Sequence, residues 1–117
     1  MDGTRAAATA LYMDSIKLGV TTIFVHHASY GEIPGTLHTI AEESKRLGLR
    51  SCLCYEVSDR DGEEKCLQAS QENADVLTEC EKNTVPRPAA MVGGHARCTI
   101  SDKTFDRMVA ANNGRTG

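Results

Sequence analysis

Apolar positions along this chain switch between two spacings, and the switches mark out alternating helices and strands. Across residues 4–18, Ala7, Ala8, Leu11, Ser15 and Leu18 recur at three- and four-residue steps, predicting a helix with that stripe turned inward. Gly19 supplies the left-handed turn that closes it. Residues 20–25, Val-Thr-Thr-Ile-Phe-Val, make a β-branched, mostly apolar run, the pattern of a strand buried on both faces as parallel strands are. Residues 26–35 read as a loop punctuated by Gly31, Pro34 and Gly35. Thr36 can then cap a second helix, with Leu37, Ile40, Ala41, Ser44 and Leu47 on one face and Glu42, Glu43, Lys45 and Arg46 on the other. Gly48 ends it.

Residues 49–57 form the second predicted strand, residues 58–62 a polar loop, and residues 63–78 a third, more polar helix. The pattern weakens across residues 80–90, where Asn83, Pro86 and Pro88 oppose both helix and central strand. A short strand interrupted by Gly93 and Gly94 is expected within residues 91–100, and Ser101 is placed to cap a last helix ending near Asn112. Residues 113–117 carry turn chemistry. Strand–helix alternation of this kind predicts an α/β fold with a parallel sheet.

Composition narrows the class of protein. A chain of 117 residues fits one domain. Its net charge of −3, with acids and bases intermixed, gives no basic footprint for nucleic acid. No stretch approaches the roughly 20 apolar residues of a membrane span, and the N-terminus lacks a basic-then-apolar signal pattern, so a cytoplasmic protein is expected. Five cysteines cannot all pair within one chain, and no C-x-x-C is present; free, buried thiols are expected. Aromatic residues make up 4% of the chain and Trp is absent, which leaves little for base stacking or a sugar cleft.

In parallel α/β folds ligands bind at the carboxyl ends of the strands, where the connecting loops converge. That rule selects His26 and His27, the stretch from Glu56 to Asp61, and His95. Adjacent strand residues point to opposite faces, so His26 and His27 enter one pocket only if the strand has already bent. Either histidine can orient a substrate, shuttle a proton or ligate a metal; either can equally be an ordinary loop histidine. Glu56, Asp59 and Asp61 can serve acid–base chemistry or a hard cation, or form a solvated loop in which Arg60 pairs with the neighbouring aspartates. His95 follows a glycine pair that lets backbone approach a ligand or another chain. His38, beside Leu37, reads as a surface or packing residue. No nucleotide loop, G-x-S-x-G, H-E-x-x-H or H-x-H occurs.

Longer stretches carry a resemblance. Residues 19–29, Gly-Val-Thr-Thr-Ile-Phe-Val-His-His-Ala-Ser, resemble the G-V-T-T-x-x-D-H-H-A-S segment of metal-dependent amidohydrolases. Residues 31–35 and 49–62 look like the chlorohydrolase-like aminohydrolase branch of that superfamily, and Gly94-His95-Ala96 with residues 99–102 resembles its G-x-H-A-x-x-T-x-S-D segment. The likeness covers nearly the whole chain and is weakest across residues 66–92.

The resemblance implies a partial (β/α)8 TIM barrel of about three parallel strand–helix units, with residues 1–117 as one incomplete barrel domain. A whole barrel takes about 250 residues. It also implies a hydrolase of non-peptide C–N bonds that uses water activated by a divalent metal, zinc or iron, on a small-molecule substrate such as a nitrogen heterocycle. The family's ligands are an H-x-H after the first strand, two later histidines and an aspartate; none maps onto this chain, which resembles a fragment beginning after the H-x-H. His95 matches the family's substrate-facing histidine, and His26 and His27 match a strand-end pair. Val25 stands where the family has an acid, and residues 83–92 also depart from its pattern. The expectation is therefore a fragment that holds substrate-binding residues and is inactive alone, with neither nucleic acid nor membrane as partner. By itself it should be unstable, homo-oligomeric or rearranged into a small open sheet. The alternatives are a stand-alone α/β module that binds a ligand or partner without catalysis, and a degenerate remnant.

Overall fold

A computed structural model describes residues 1–82 and 88–115. Among these, α1 (Asp2–Lys17), β1 (Thr22–His27), α2 (Thr36–Leu47), β2 (Arg50–Val57), α3 (Glu63–Lys82), β3 (Ala89–Ala90), β4 (Gly93–Gly94) and α4 (Asp102–Asn112) follow one another, with a 3-10 turn at Arg97–Thr99 before α4. The fold is α/β, a small open sheet of parallel strands with four helices. β2 is central. β1 lies along one edge, pairing Phe24 with Cys52 and His26 with Cys54; β3 and β4 follow one another along the other edge, opposite Cys52–Leu53 and Glu56–Val57. None of the described helices is long and apolar enough to cross a membrane.

One face of the sheet builds the core. Leu53, Tyr55 and Val57 of β2 are buried against Ala8 and Tyr12 of α1, Leu37, Ile40 and Ala41 of α2, and Cys66, Ala69 and Val76 of α3. Because strand side chains alternate, Cys52, Cys54 and Glu56 point the other way, beside Phe24 and His26. The helices of the core thus share one side, and the opposite face is open at Phe24, which is 71% exposed.

Several sequence expectations change. The first strand begins two residues late and contains both histidines. It is not buried on both faces: its residues alternate between exposed and half-buried, because it is an edge strand covered on one side only. The inward stripe of α1 is Ala8 and Tyr12, while Ala7, Leu11 and Leu18 are exposed. An alanine-rich helix with apolar residues on several sides gives periodicity little to choose between. Thr36 does not cap α2 with its side chain; its hydroxyl donates to Ile33 O instead. The cap comes from α3, where the buried Glu72 carboxylate accepts from Gly35 N at 2.9 Å and Leu37 N at 2.8 Å. A carboxylate there also meets the positive end of the helix dipole. Glu43, expected outside, is buried and accepts from Arg5, Thr9 and Arg46. The strand within residues 91–100 reduces to Gly93–Gly94, and α3 runs to Lys82 rather than residue 78. Asn83 and Pro86 lie outside the described residues.

Other expectations hold. Gly19 and Gly48 are left-handed where they close α1 and α2. Ser101 accepts from Thr104 N at 3.2 Å and caps α4. The five cysteines are free, although only Cys54 and Cys66 are buried. Asn73 of α3 completes the frame. Fully buried, it accepts from Tyr55 N and donates to Tyr55 O, each at 2.9 Å, and accepts from Gly93 N at 3.3 Å. One side chain thus ties α3 to the centre of β2 and to β4.

Candidate functional site

The open face gathers its polar groups at the carboxyl end of β2. His26 on β1 and Cys54 and Glu56 on β2 fall on the same face by strand alternation and parallel register. His26 Nε2 lies 3.6 Å from Glu56 Oε2, and His26 Nδ1 lies 3.7 Å from Cys54 Sγ. Glu56 is then held from three sides. Arg60 Nη2 donates to Oε1 at 2.6 Å, and the Tyr30 hydroxyl donates to Glu56 O at 2.8 Å and reaches Oε1 at 3.4 Å. Arg60 is braced by Ser58, whose hydroxyl accepts from Arg60 N and Nε at 3.1 Å each. The Glu56 side chain is 11% exposed, whereas those of His26 and Arg60 are 47% and 48% exposed. A buried carboxylate thus sits between a solvent-facing imidazole and a solvent-facing guanidinium, and the row His26–Glu56–Arg60 presents both hydrogen-bond signs to a ligand.

The neighbouring groups limit its chemistry. Burial, with Cys52 adding to it, pushes the Cys54 thiol up to about 11, so it is a neutral packing group near pH 7 and not a thiolate nucleophile. Burial and then the charges of Glu56 and Asp61 push Tyr30 up to about 12, which keeps its hydroxyl a donor to Glu56. The two nitrogens of His26 face different partners, and among the described residues no three His, Cys, Asp or Glu side chains are grouped to hold a metal ion. These residues do not fit the metal that the amidohydrolase resemblance implies.

The structure divides the other sequence candidates. His27 lies on the helix side, its ring edge-on to Tyr55 at 5.3 Å, and burial lowers its pKa. It shares no face with His26. His95 follows β4, its backbone N–H donating to Val57 O at 3.0 Å and its Nδ1 2.8 Å from Thr99 Oγ1. His26 and His95 thus stand on opposite edges of β2, near its carboxyl end. Asp59 belongs to the scaffold: it accepts from Ser101 N and Thr104 Oγ1, each at 2.6 Å, and anchors α4. Arg60 pairs with Glu56 rather than with the adjacent aspartates, and Asp61 is exposed. His38 is an exposed surface residue, as expected, and it pairs with Glu79 and Glu42.

Arg60 lay within the selected stretch, but only as a local pair for the neighbouring aspartates, and Tyr30 and Cys54 were not among the sequence candidates. The period-two spacing of Cys54 and Glu56 along one strand, and the four-residue step from Glu56 to Arg60 across a turn, were the available signals. No family model matches the chain.

Proposed function

We propose that this chain is a sector of a (β/α)8 barrel of the amidohydrolase kind, and that it contributes substrate-orienting residues to hydrolysis of a C–N bond in a small nitrogen heterocycle. The observation that carries the reading is the His26–Glu56–Arg60 row at the carboxyl ends of the strands, where barrel enzymes bind substrate. Consecutive strand order, with the core helices on one side, supports a singly wound sector whose open face is the barrel interior. Within that reading Glu56 accepts from a ring amine, while His26 and Arg60 hydrogen-bond to its acceptors. His95 faces the same substrate from the β4 side. No residue set of this chain is assigned to a metal, and no chemical step is assigned to these residues.

A second reading, an open α/β module that binds a small ligand without catalysis, is favoured by the lack of grouped metal ligands among the described residues. Titration with cytosine, followed by amide and side-chain NMR with uracil as the counterpart lacking the amine, tests the site. Saturable shifts at His26, Arg60 and His95 are expected for cytosine, weakened about fivefold or more by His26→Ala. Absence of saturation, or shifts confined to the helix side, overturns the assignment. An ammonia-release assay with added zinc separates the readings further: turnover by this chain alone contradicts a purely orienting role.

A further inference from the structure

The helix-side histidine has no place in the proposed site, and its surroundings are unusual for an ionisable group. His27 Nε2 is buried without a hydrogen-bond partner among the described residues. Its ring borders a cavity of about 130 Å3 between α1 and the sheet, walled mainly by Ala7, Ala8, Leu11 and Tyr12 of α1 with Val25 and Ile40. The roof contributes little apolar surface to the core. α1 sinks only Ala8 and Tyr12 into the core, while Leu11, Met13 and Ile16 are each roughly half exposed. Its remaining ties are polar and lie toward its N-terminal half: Arg5 to Glu42 and Glu43, Thr9 to Glu43, and Thr4 and the Met1 amine to Glu32.

We propose that α1 is an acid-released lid: protonation of His27 detaches it from the sheet while β1, β2, α2 and α3 stay folded. A charged imidazole in this setting has neither an anion beside it nor a protein acceptor for Nε2, and the cheapest way to hydrate it is to lift the helix above the cavity. The titratable groups packed around it are Tyr55 on β2 and Tyr12 on α1, both kept neutral by burial; α2 contributes Ile40. The carboxylates at the α1–α2 seam, Glu42 and Glu43, are held by arginines and titrate below the ordinary carboxylate value of 4.5. His38 shares Glu42 with Arg5, but Glu79 raises its pKa, so its protonation strengthens the fold as pH falls; the loss just below neutrality therefore belongs to His27.

The sign follows from burial lowering the histidine's pKa. Docking of α1 is strongest above the ordinary value of 6.5 and weakens as pH falls below it. Hydrogen exchange of the full chain between pH 7.5 and pH 5.5, expressed as protection factors, tests the device. Protection of α1 amides is expected to fall by up to about tenfold per pH unit below 6.5, with β2 amides unchanged. His27→Phe and His27→Gln should both flatten that response. Equal loss in α1 and β2, or constant α1 protection in the unsubstituted chain, overturns the proposal without any variant. An unaltered response in a folded His27→Gln protein overturns it as well.

Discussion

The two faces of β2 are built from alternate residues of one eight-residue strand, yet they serve opposite ends. Leu53, Tyr55 and Val57 are buried without exposure and hold three helices; Cys52, Cys54 and Glu56 look toward the open side and, with His26 and Arg60, carry the polar row. The helix-covered face has its affinity satisfied inside the chain. The open face has not: Phe24 is in solvent, and Glu56 keeps a solvent-facing imidazole and guanidinium beside it. One strand can thus specify a core and display a site because the pleat separates the two tasks, and a change at one residue should be felt on one side only.

The sharpest way to break that comparison is to truncate one residue on each face. Leu53→Ala should cost about 2–5 kcal/mol, because the side chain is fully buried among α1, α2 and α3 residues and leaves a cavity. Phe24→Ala, on the paired strand but the other face, should change stability by less than about 0.5 kcal/mol. Urea denaturation of both variants measures the difference. Similar costs at the two positions would mean that the open face is covered in solution.

A smaller effect is expected where the faces are pinned together. A Cβ on Gly93 would stand 2.7 Å from Tyr55 O and 2.8 Å from Cys54 Sγ, so β4 is seated there only because the position has no side chain. Gly93→Ala should cost about 1–3 kcal/mol. It should also lengthen the His95 N to Val57 O hydrogen bond, visible as faster exchange of the His95 amide, while the α1–α2 region keeps its protection.

What the sequence disclosed, and what it hid, divides along the same lines. The second strand, the apolar face of α2 and the Ser101 cap were legible because each depends on neighbours within a few residues. The glycine pair at 93–94 was visible but read as an interruption, since the close approach of Cys54 and Tyr55 depends on pairing across about 40 residues of chain. Glu43, Glu72 and Asn73 were illegible as buried groups. Polar residues on a helix predict solvent, and the distant partners that bury them, Thr9, Leu37 and Tyr55, lie 34, 35 and 18 residues away. The site was half legible. Glu56 and His26 were named from their strand-end positions, but whether His26 belongs to strand or loop, and so shares a face with Glu56, depended on β1 ending two residues later than expected.

The subtlest test concerns the helix layer alone. Glu43 is a buried carboxylate at the seam of α1 and α2, where Arg46, Thr9 and Arg5 hold its carboxyl down to about 2. A carboxylate whose folded pKa is depressed stabilises the fold above its ordinary value of 4.5 and loses that contribution as pH falls through 4.5 toward 2. Stability followed by chemical denaturation should therefore drop across that window with a slope approaching one proton. Glu43→Gln should remove that component of the slope, since glutamine does not titrate. This lies below the His27 window, so the two acid responses separate along the pH axis, and His27→Gln, in which α1 stays docked, reads the Glu43 step with Arg5 and Thr9 still in place. If Glu43→Gln leaves the slope between pH 4.5 and 2 unchanged, the arginine cluster is not what makes the helix layer sensitive to acid.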